Sequence, residues 1–391
     1  MQKNYRSTIY ACFTGYTVQA IIINFLPLLF LWFHNTWNIS MQKITLLVTF
    51  SFILQLIIDA ASVFFVDRIG YRPLTVLANV LSVIGIASMT FLPELTGDPF
   101  VGLLISSAIS ALGSGLLEVL ISPIVDRSPT DNKEKAMSLL HSFYCWGYLA
   151  VVLITTLFFA LFGIENWRIL ALIWALVPLA DAIAFTRVPI APYFKDGEKG
   201  MSLTQLVKNK LFWLMMLAML CAGACEHGVC QWASAFAESA LGVSKTIGDL
   251  AGPSFFALMM GIARVIYGKF GERIPLKKFM LLSASMCVFA YLLIALSPWP
   301  VLGFIGCGVC GFSVGIFWPG TLSMSASALP QGGNIMFCLL ALAGDMGCSA
   351  GPTVAGFVSG ALGDNLKMGI LAAIVFPLLL LSTLIFRKKD A

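Results

Sequence analysis

The apolar positions of this chain fall into roughly a dozen runs of about 18 to 26 residues, and clusters of proline, glycine and charge separate them. Runs of that length suit helices that cross a bilayer, so the pattern predicts a polytopic membrane protein. Taking the clusters as punctuation, helices are expected at about 7–33, 43–66, 74–93, 100–125, 136–162, 167–187, 210–239, 246–268, 278–298, 300–329, 334–362 and 367–386. The first run follows Lys3 and Arg6 with no small-residue cleavage site, which reads as a retained helix.

Composition agrees with the pattern. Hydrophobic residues make up 59% and charged residues 11%, with a mean hydropathy of +0.91, too much apolar surface for a soluble core to hide. Ten cysteines lie inside apolar runs, which argues against a disulfide framework. Cys307 and Cys310 form a CxxC without the histidine or second cysteine pair that a zinc site needs.

Charge sets orientation. All but Lys43, Arg168, Lys245 and Lys367 of the 24 basic residues fall on one face, so the positive-inside rule makes both termini cytoplasmic in a plasma membrane protein. The polar stretch between Val188 and Lys210 reads as a linker between halves. Gly113–Pro129 resembles Gly315–Pro330, and Gly147 and Gly163 match Gly347 and Gly363. The expected architecture is an all-α protein with twelve transmembrane helices in two pseudo-symmetric six-helix bundles, at 1–189 and 210–391, with a cytoplasmic linker at 190–209.

The loop after the second helix reads Asp67-Arg68-Ile69-Gly70-Tyr71-Arg72-Pro73. It resembles the cytoplasmic motif of the major facilitator superfamily, Gly-x-x-x-Asp-Arg-x-Gly-x-Arg-Arg/Lys, with Val63 in place of the leading glycine. A degenerate second copy runs from Gly268 to Lys278 and contains Glu272 and Arg273. Asp67, Arg68, Arg72, Glu272 and Arg273 are therefore candidates for a gate latch whose ion pairs form in one conformation and open in another.

Within that superfamily, Leu117-Glu118-Val119-Leu120-Ile121-Ser122-Pro123 and His141-Ser142-Phe143-Tyr144-Cys145-Trp146-Gly147 are similar to segments of the fucose, galactose and glucose proton symporter family. Asn24-Phe25-Leu26-Pro27 resembles that family's Asn-Asp-x-x-x-Pro region, with Phe25 where the acid stands. The resemblance implies a secondary active transporter that moves a sugar by alternating access, coupled to a cation gradient.

Acids at membrane depth cost about 2.5–3.5 kcal/mol each and so demand a reason. Glu118, with Ser114 and Ser122 a turn to either side, is the leading proton-coupling candidate, followed by Asp345 and Asp59. A neutral glutamate bonded to a neighbouring helix is the competing reading of Glu118. Asn24, Glu118, His141, Trp146, Glu226, His227, Gln231, Trp232 and Trp318 are candidate substrate ligands, because amide, carboxylate and aromatic groups together suit a polyol. Trp32, Trp37, Trp167 and Trp299 sit near helix ends and read as interfacial anchors. Gly347-x-x-x-Gly351 and Gly356-x-x-x-Gly360 both read as helix-packing seams.

Apart from Arg264 near an inner helix end, no basic residue is expected at depth, which favours a neutral solute over an anion. An exporter or antiporter of cationic amphiphiles is the alternative. The Gly-Pro run lies in the eleventh helix and not the fifth, where superfamily antiporters carry theirs, and this favours uptake. No P-loop and no nucleophile–base arrangement is present, so neither ATP hydrolysis nor another enzyme activity is expected. The expected partners are a small solute, a proton or sodium ion and the bilayer, with no cofactor, metal or nucleic acid, in a monomer.

Overall fold

The computed structural model describes every residue except 1–4, 193–199, 235, 236, 238–240, 244, 364 and 387–391. Lys3, part of the expected linker and the tail of the expected seventh helix thus lie outside the described residues. The described residues form an all-helical fold with twelve helices long and apolar enough to cross a membrane. In chain order they are α1 (Arg6–Leu29), α2 (Leu46–Ile69), α3 (Tyr71–Ser88), α4 (Pro99–Arg127), α5 (Lys133–Phe162), α6 (Ile164–Arg187), α7 (Lys210–Cys230), α8 (Leu250–Phe270), α9 (Leu276–Leu296), α10 (Pro300–Ala328), α11 (Gly333–Ala361) and α12 (Leu366–Phe386).

Departures from the expected boundaries have local causes. Pro27 cannot donate a backbone hydrogen bond, and α1 tightens there into a 3-10 turn over Leu26–Leu29 before a short helix, Phe30–Trp37, continues the chain. Within α10 the helix stops at Val314 and restarts at Phe317, because Pro319 removes the donor that would have met the carbonyl of Gly315. Pro377 does the same to Ala373, and α12 pauses at Ile374. The seventh helix runs to Cys230, with Gln231 as its cap. Between α2 and α3 the chain reverses at Gly70, whose φ of 92° is open to glycine but strained for other residues.

The chain divides into two compact units, one of Met1–Pro129 with Trp146–Asp196 and the other of Thr130–Cys145 with Gly197–Ala391. The division cuts α5 between Cys145 and Trp146. Its first residues belong with the second unit because Ser138 Oγ donates to the Arg264 carbonyl and the His141 carbonyl accepts from the Arg264 side chain.

In the first unit, α4 packs against α1, α2 and α3, and α3 against α6. Trp167 is fully buried, contrary to its expected role as an interfacial anchor, because its ring meets Trp32 at 5.5 Å and Phe33 at 5.4 Å in an aromatic cluster. Trp299, 67% exposed, stays at the surface.

In the second unit, α7 and α11 share a close seam. A β-carbon on Gly347 would meet the Leu220 carbonyl, one on Gly351 the Ala224 carbonyl and one on Gly223 the Gly344 carbonyl. The expected second seam is absent: Gly356 and Gly360 have open space where a β-carbon would stand, since that stretch of α11 turns those positions away from its neighbours.

Candidate functional site

In the first unit, three helices converge on one carboxylate. Gln19 of α1 and Gln55 of α2 each donate from Nε2 to Glu118 Oε2 of α4, at 2.6 Å in both cases. Hydrogen bonds to a charged acceptor contribute about 1.5–3 kcal/mol each, enough to offset part of the cost of placing an acid at this depth. Glu118 keeps partial exposure, while Gln19 and Gln55 are nearly buried. Ser122 shares a 3.1 Å hydrogen bond with Tyr16, and the Ser114 hydroxyl is buried without a partner among the described residues. Asp59, one turn beyond Gln55 on α2, is fully buried. Asn24 turns back onto its own helix, donating to the Ala20 carbonyl at 2.9 Å. Trp146 is partly buried, at the point where α5 enters this unit.

Sequence reasoning overlooked Gln19 because it asked only acids to justify themselves. It also passed over Asp181, which the same rule selects: this residue of α6 is 1% exposed and accepts from Asn79 of α3 at 3.0 Å.

The gating candidates take different surroundings. Asp67 and Arg68 are exposed at the end of α2. Arg72 reaches across to α6, where it donates to the carbonyls of Phe185, Thr186 and Val188 at 2.8, 2.8 and 2.7 Å. Those carbonyls end a helix and lack donors of their own, so the guanidinium serves as their cap. In the second unit, Glu272 pairs with Lys135 of α5 at 2.5 Å, and Tyr267 donates to Glu134 at 2.8 Å. A β-carbon on Gly271 would meet the Tyr267 carbonyl first, at 2.7 Å, with the Tyr267 ring and the Lys135 side chain just beyond. The hydrogen bond and charge of Lys135 hold the Glu272 carboxyl below its ordinary pKa. Arg273 is exposed.

A second polar cluster lies wholly within the second unit and centres on Arg264 of α8. This side chain is 3% exposed and lies six residues before the end of its helix at Phe270. Its Nε donates to Gly315 at 2.8 Å, the carbonyl that Pro319 leaves without a backbone donor. Its Nη1 donates to the His141 carbonyl at 2.9 Å and to Cys145 Sγ at 3.0 Å. Its Nη2 lies 3.7 Å from Glu226 Oε2 of α7. Glu226 therefore faces a cation, and the two charges offset each other. His141 is 3% exposed.

Beside Glu226, the Nδ1 of His227 is buried without a partner among the described residues, as is the indole nitrogen of Trp232. Gln231, another of the candidate ligands, is exposed at the end of α7. Trp318 is partly buried, with its ring where a β-carbon on Gly344 would stand, and the adjacent Asp345 is 4% exposed. The structure thus gathers Glu226, Arg264 and the His141 backbone into one cluster and Glu118 with two amides into another.

A family profile described as Major Facilitator Superfamily matches residues 9–352. No curated protein sequence matches. Among solved structures, the Escherichia coli fucose:proton symporter FucP superposes with a TM-score of 0.83 at 16% identity, covering 99% of this chain and 100% of that one. The proton:xylose symporter XylE, bound to 6-bromo-6-deoxy-D-glucose, reaches 0.80 at 13% identity over 97% of this chain and 94% of its own. The human organic anion transporter MFSD10 gives 0.75 at 17% identity, covering 98% and 100%. With its all-helical fold and twelve spans, the chain belongs to the major facilitator superfamily and is a multi-pass membrane transporter, not an enzyme.

Proposed function

We propose that this transporter takes up a small neutral sugar together with a proton by alternating access. The observation that carries the reading is the Glu118 clasp: one partly exposed carboxylate held at 2.6 Å by two amides from two other helices. A carboxyl that meets water on one side of the membrane at a time can load and release a proton, while amides supply the paired donors and acceptors that hydroxyl groups need. Structures of similar fold named as fucose:proton and proton:xylose symporters support the same direction.

In this reading Asp59 and Asp345 are further coupling acids. Asn24, His141, Trp146, Glu226, His227, Trp232 and Trp318 are available to the solute. The motif residues of the two halves gate the passage. The protein works as a monomer in the plasma membrane, with both termini and the 190–209 linker on the cytoplasmic side between halves 1–189 and 210–391.

Counterflow of labelled sugars in proteoliposomes tests the reading, with Glu118→Gln beside the wild type. Wild-type counterflow is expected to saturate with a neutral sugar, and the variant is expected to keep exchange but lose uphill accumulation, because exchange moves no net proton. Undiminished gradient-driven uptake in the variant would remove Glu118 as the coupling group. Strong competition by amphiphilic cations, without sugar counterflow, would favour the exporter instead.

A further inference from the structure

The Arg264 cluster is over-determined on one side and open on the other. Three of the five guanidinium N–H groups are taken by Gly315, His141 and Cys145, from α10 and α5, which fixes the plane of the group. Gly315 is itself required there, since a β-carbon would meet the Met260 carbonyl and Ala263 of α8. Both remaining N–H groups are on Nη2. Glu226 Oε2 lies 3.7 Å from Nη2, too long for a hydrogen bond, and no hydrogen bond from another described residue reaches Glu226. Along α7, Glu226 is two and a half turns (about 3.6 residues each) from the exposed Leu217, so the two occupy opposite faces. Its side chain retains 13% exposure against 4% for Arg264.

We infer that Arg264 and Glu226 form a subsite in the second unit that reads two adjacent hydroxyl groups of a neutral solute. Each hydroxyl accepts from an Nη2 N–H and donates to a carboxylate oxygen, which meets the hydrogen-bonding capacity the two side chains leave unmet in each other. The pair is neutral as a whole, so a neutral diol enters without an uncompensated charge. A carboxylate ligand meets Glu226 as a like charge, and an ammonium ligand meets Arg264 the same way. The buried Nδ1 of His227, one residue along α7, lies on the same helix end and is available to a third hydroxyl. The inference rests on the reading of the protein as a sugar transporter and adds Arg264 as a ligand.

The test measures counterflow affinity for a sugar, its singly deoxygenated derivatives, the corresponding uronate and the corresponding amino sugar. Full-length wild type is compared with Glu226→Gln and Glu226→Asp. In the wild type, loss of one of two adjacent hydroxyls is expected to weaken binding about tenfold. In both variants that ratio is expected to shrink to about threefold or less, while the ratios at other hydroxyl positions stay unchanged. A merely structural Glu226 would lower affinity for all the sugars alike and preserve every ratio, and that result overturns the subsite. Unliganded melting temperatures within a few degrees of wild type show that the variants are folded. Glu226→Asp keeps the charge if Glu226→Gln does not fold.

The outcomes separate the two claims. Saturable sugar counterflow with unaltered ratios leaves the transport reading standing and removes the subsite. Counterflow of the uronate but of no neutral sugar removes both and makes Arg264 an anion site, and counterflow of neither class removes both as well.

Discussion

A carboxylate in a membrane helix persists only where other side chains replace the water it gave up, and this chain does so in two ways. Glu118 accepts hydrogen bonds from two amides, and Glu226 lies 3.7 Å from a guanidinium. Both acids were legible in the sequence because a charged letter inside an apolar run stands out. Their partners were not: amides cost less to bury and attract less notice, and the proximity of Arg264 to Glu226 depends on how α7 and α8 pack. Glu272, in the loop between α8 and α9, permits a pH prediction. Its folded pKa lies below the unfolded value because Lys135 donates to it and stands beside it as a charge. The contribution of the pair is therefore complete above the ordinary carboxylate range, near 4.3 for a free glutamate, and is lost only as the pH falls through the lowered folded value, so about pH 5 to 8 leaves it intact. The ratio of Glu272→Gln to wild-type initial uptake should therefore be the same within about twofold at roughly pH 5.5 and 7.5. A ratio that drifts steadily across that window would show that Lys135 does not hold the carboxyl down.

At the scale of helices, the apolar runs and prolines made the twelve elements and most of their ends readable before any coordinates. What could not be read is which polar or small position meets which neighbour. The Gly315 carbonyl, freed by Pro319, is met by a side chain 51 residues earlier, a pairing with no signature in local sequence. The two Gly-x-x-x-Gly pairs of α11 look alike as letters, yet only the first lies against backbone. Substitution separates them. Gly347→Ala and Gly351→Ala each push a methyl group into a carbonyl of α7, where backbone cannot rotate away, so destabilisation of about 1–3 kcal/mol or more is expected. Gly356→Ala and Gly360→Ala add a methyl group in open space and remove a flexible residue from a helix, so each should be neutral or gain up to about 1 kcal/mol. Melting midpoints of the purified variants in detergent decide the matter, and equal losses at all four positions would contradict the single seam.

For the molecule as a whole, the orientation proposed in the membrane rests on a count of spans and the distribution of lysine and arginine. Two exposed loop positions test that orientation, because only α4 lies between them: Leu95, 73% exposed between α3 and α4, and Asp131, exposed between α4 and α5. A single crossing must put them on opposite faces, whatever the sign of the orientation. The basic residues Arg127, Lys133 and Lys135 flank Asp131, whereas Leu95 lies beside Glu94 and Asp98, so the positive-inside rule places Asp131 in the cytoplasm and Leu95 outside. Eight of the ten native thiols are buried and the other two only partly exposed, which gives a quiet background for labelling. A membrane-impermeant maleimide applied to intact cells should label Leu95→Cys and leave Asp131→Cys unlabelled until the membrane is opened. The reverse pattern would invert the orientation while keeping the fold. Labelling of both positions from one side would mean that α4 does not span, and the twelve-helix arrangement itself would then fail.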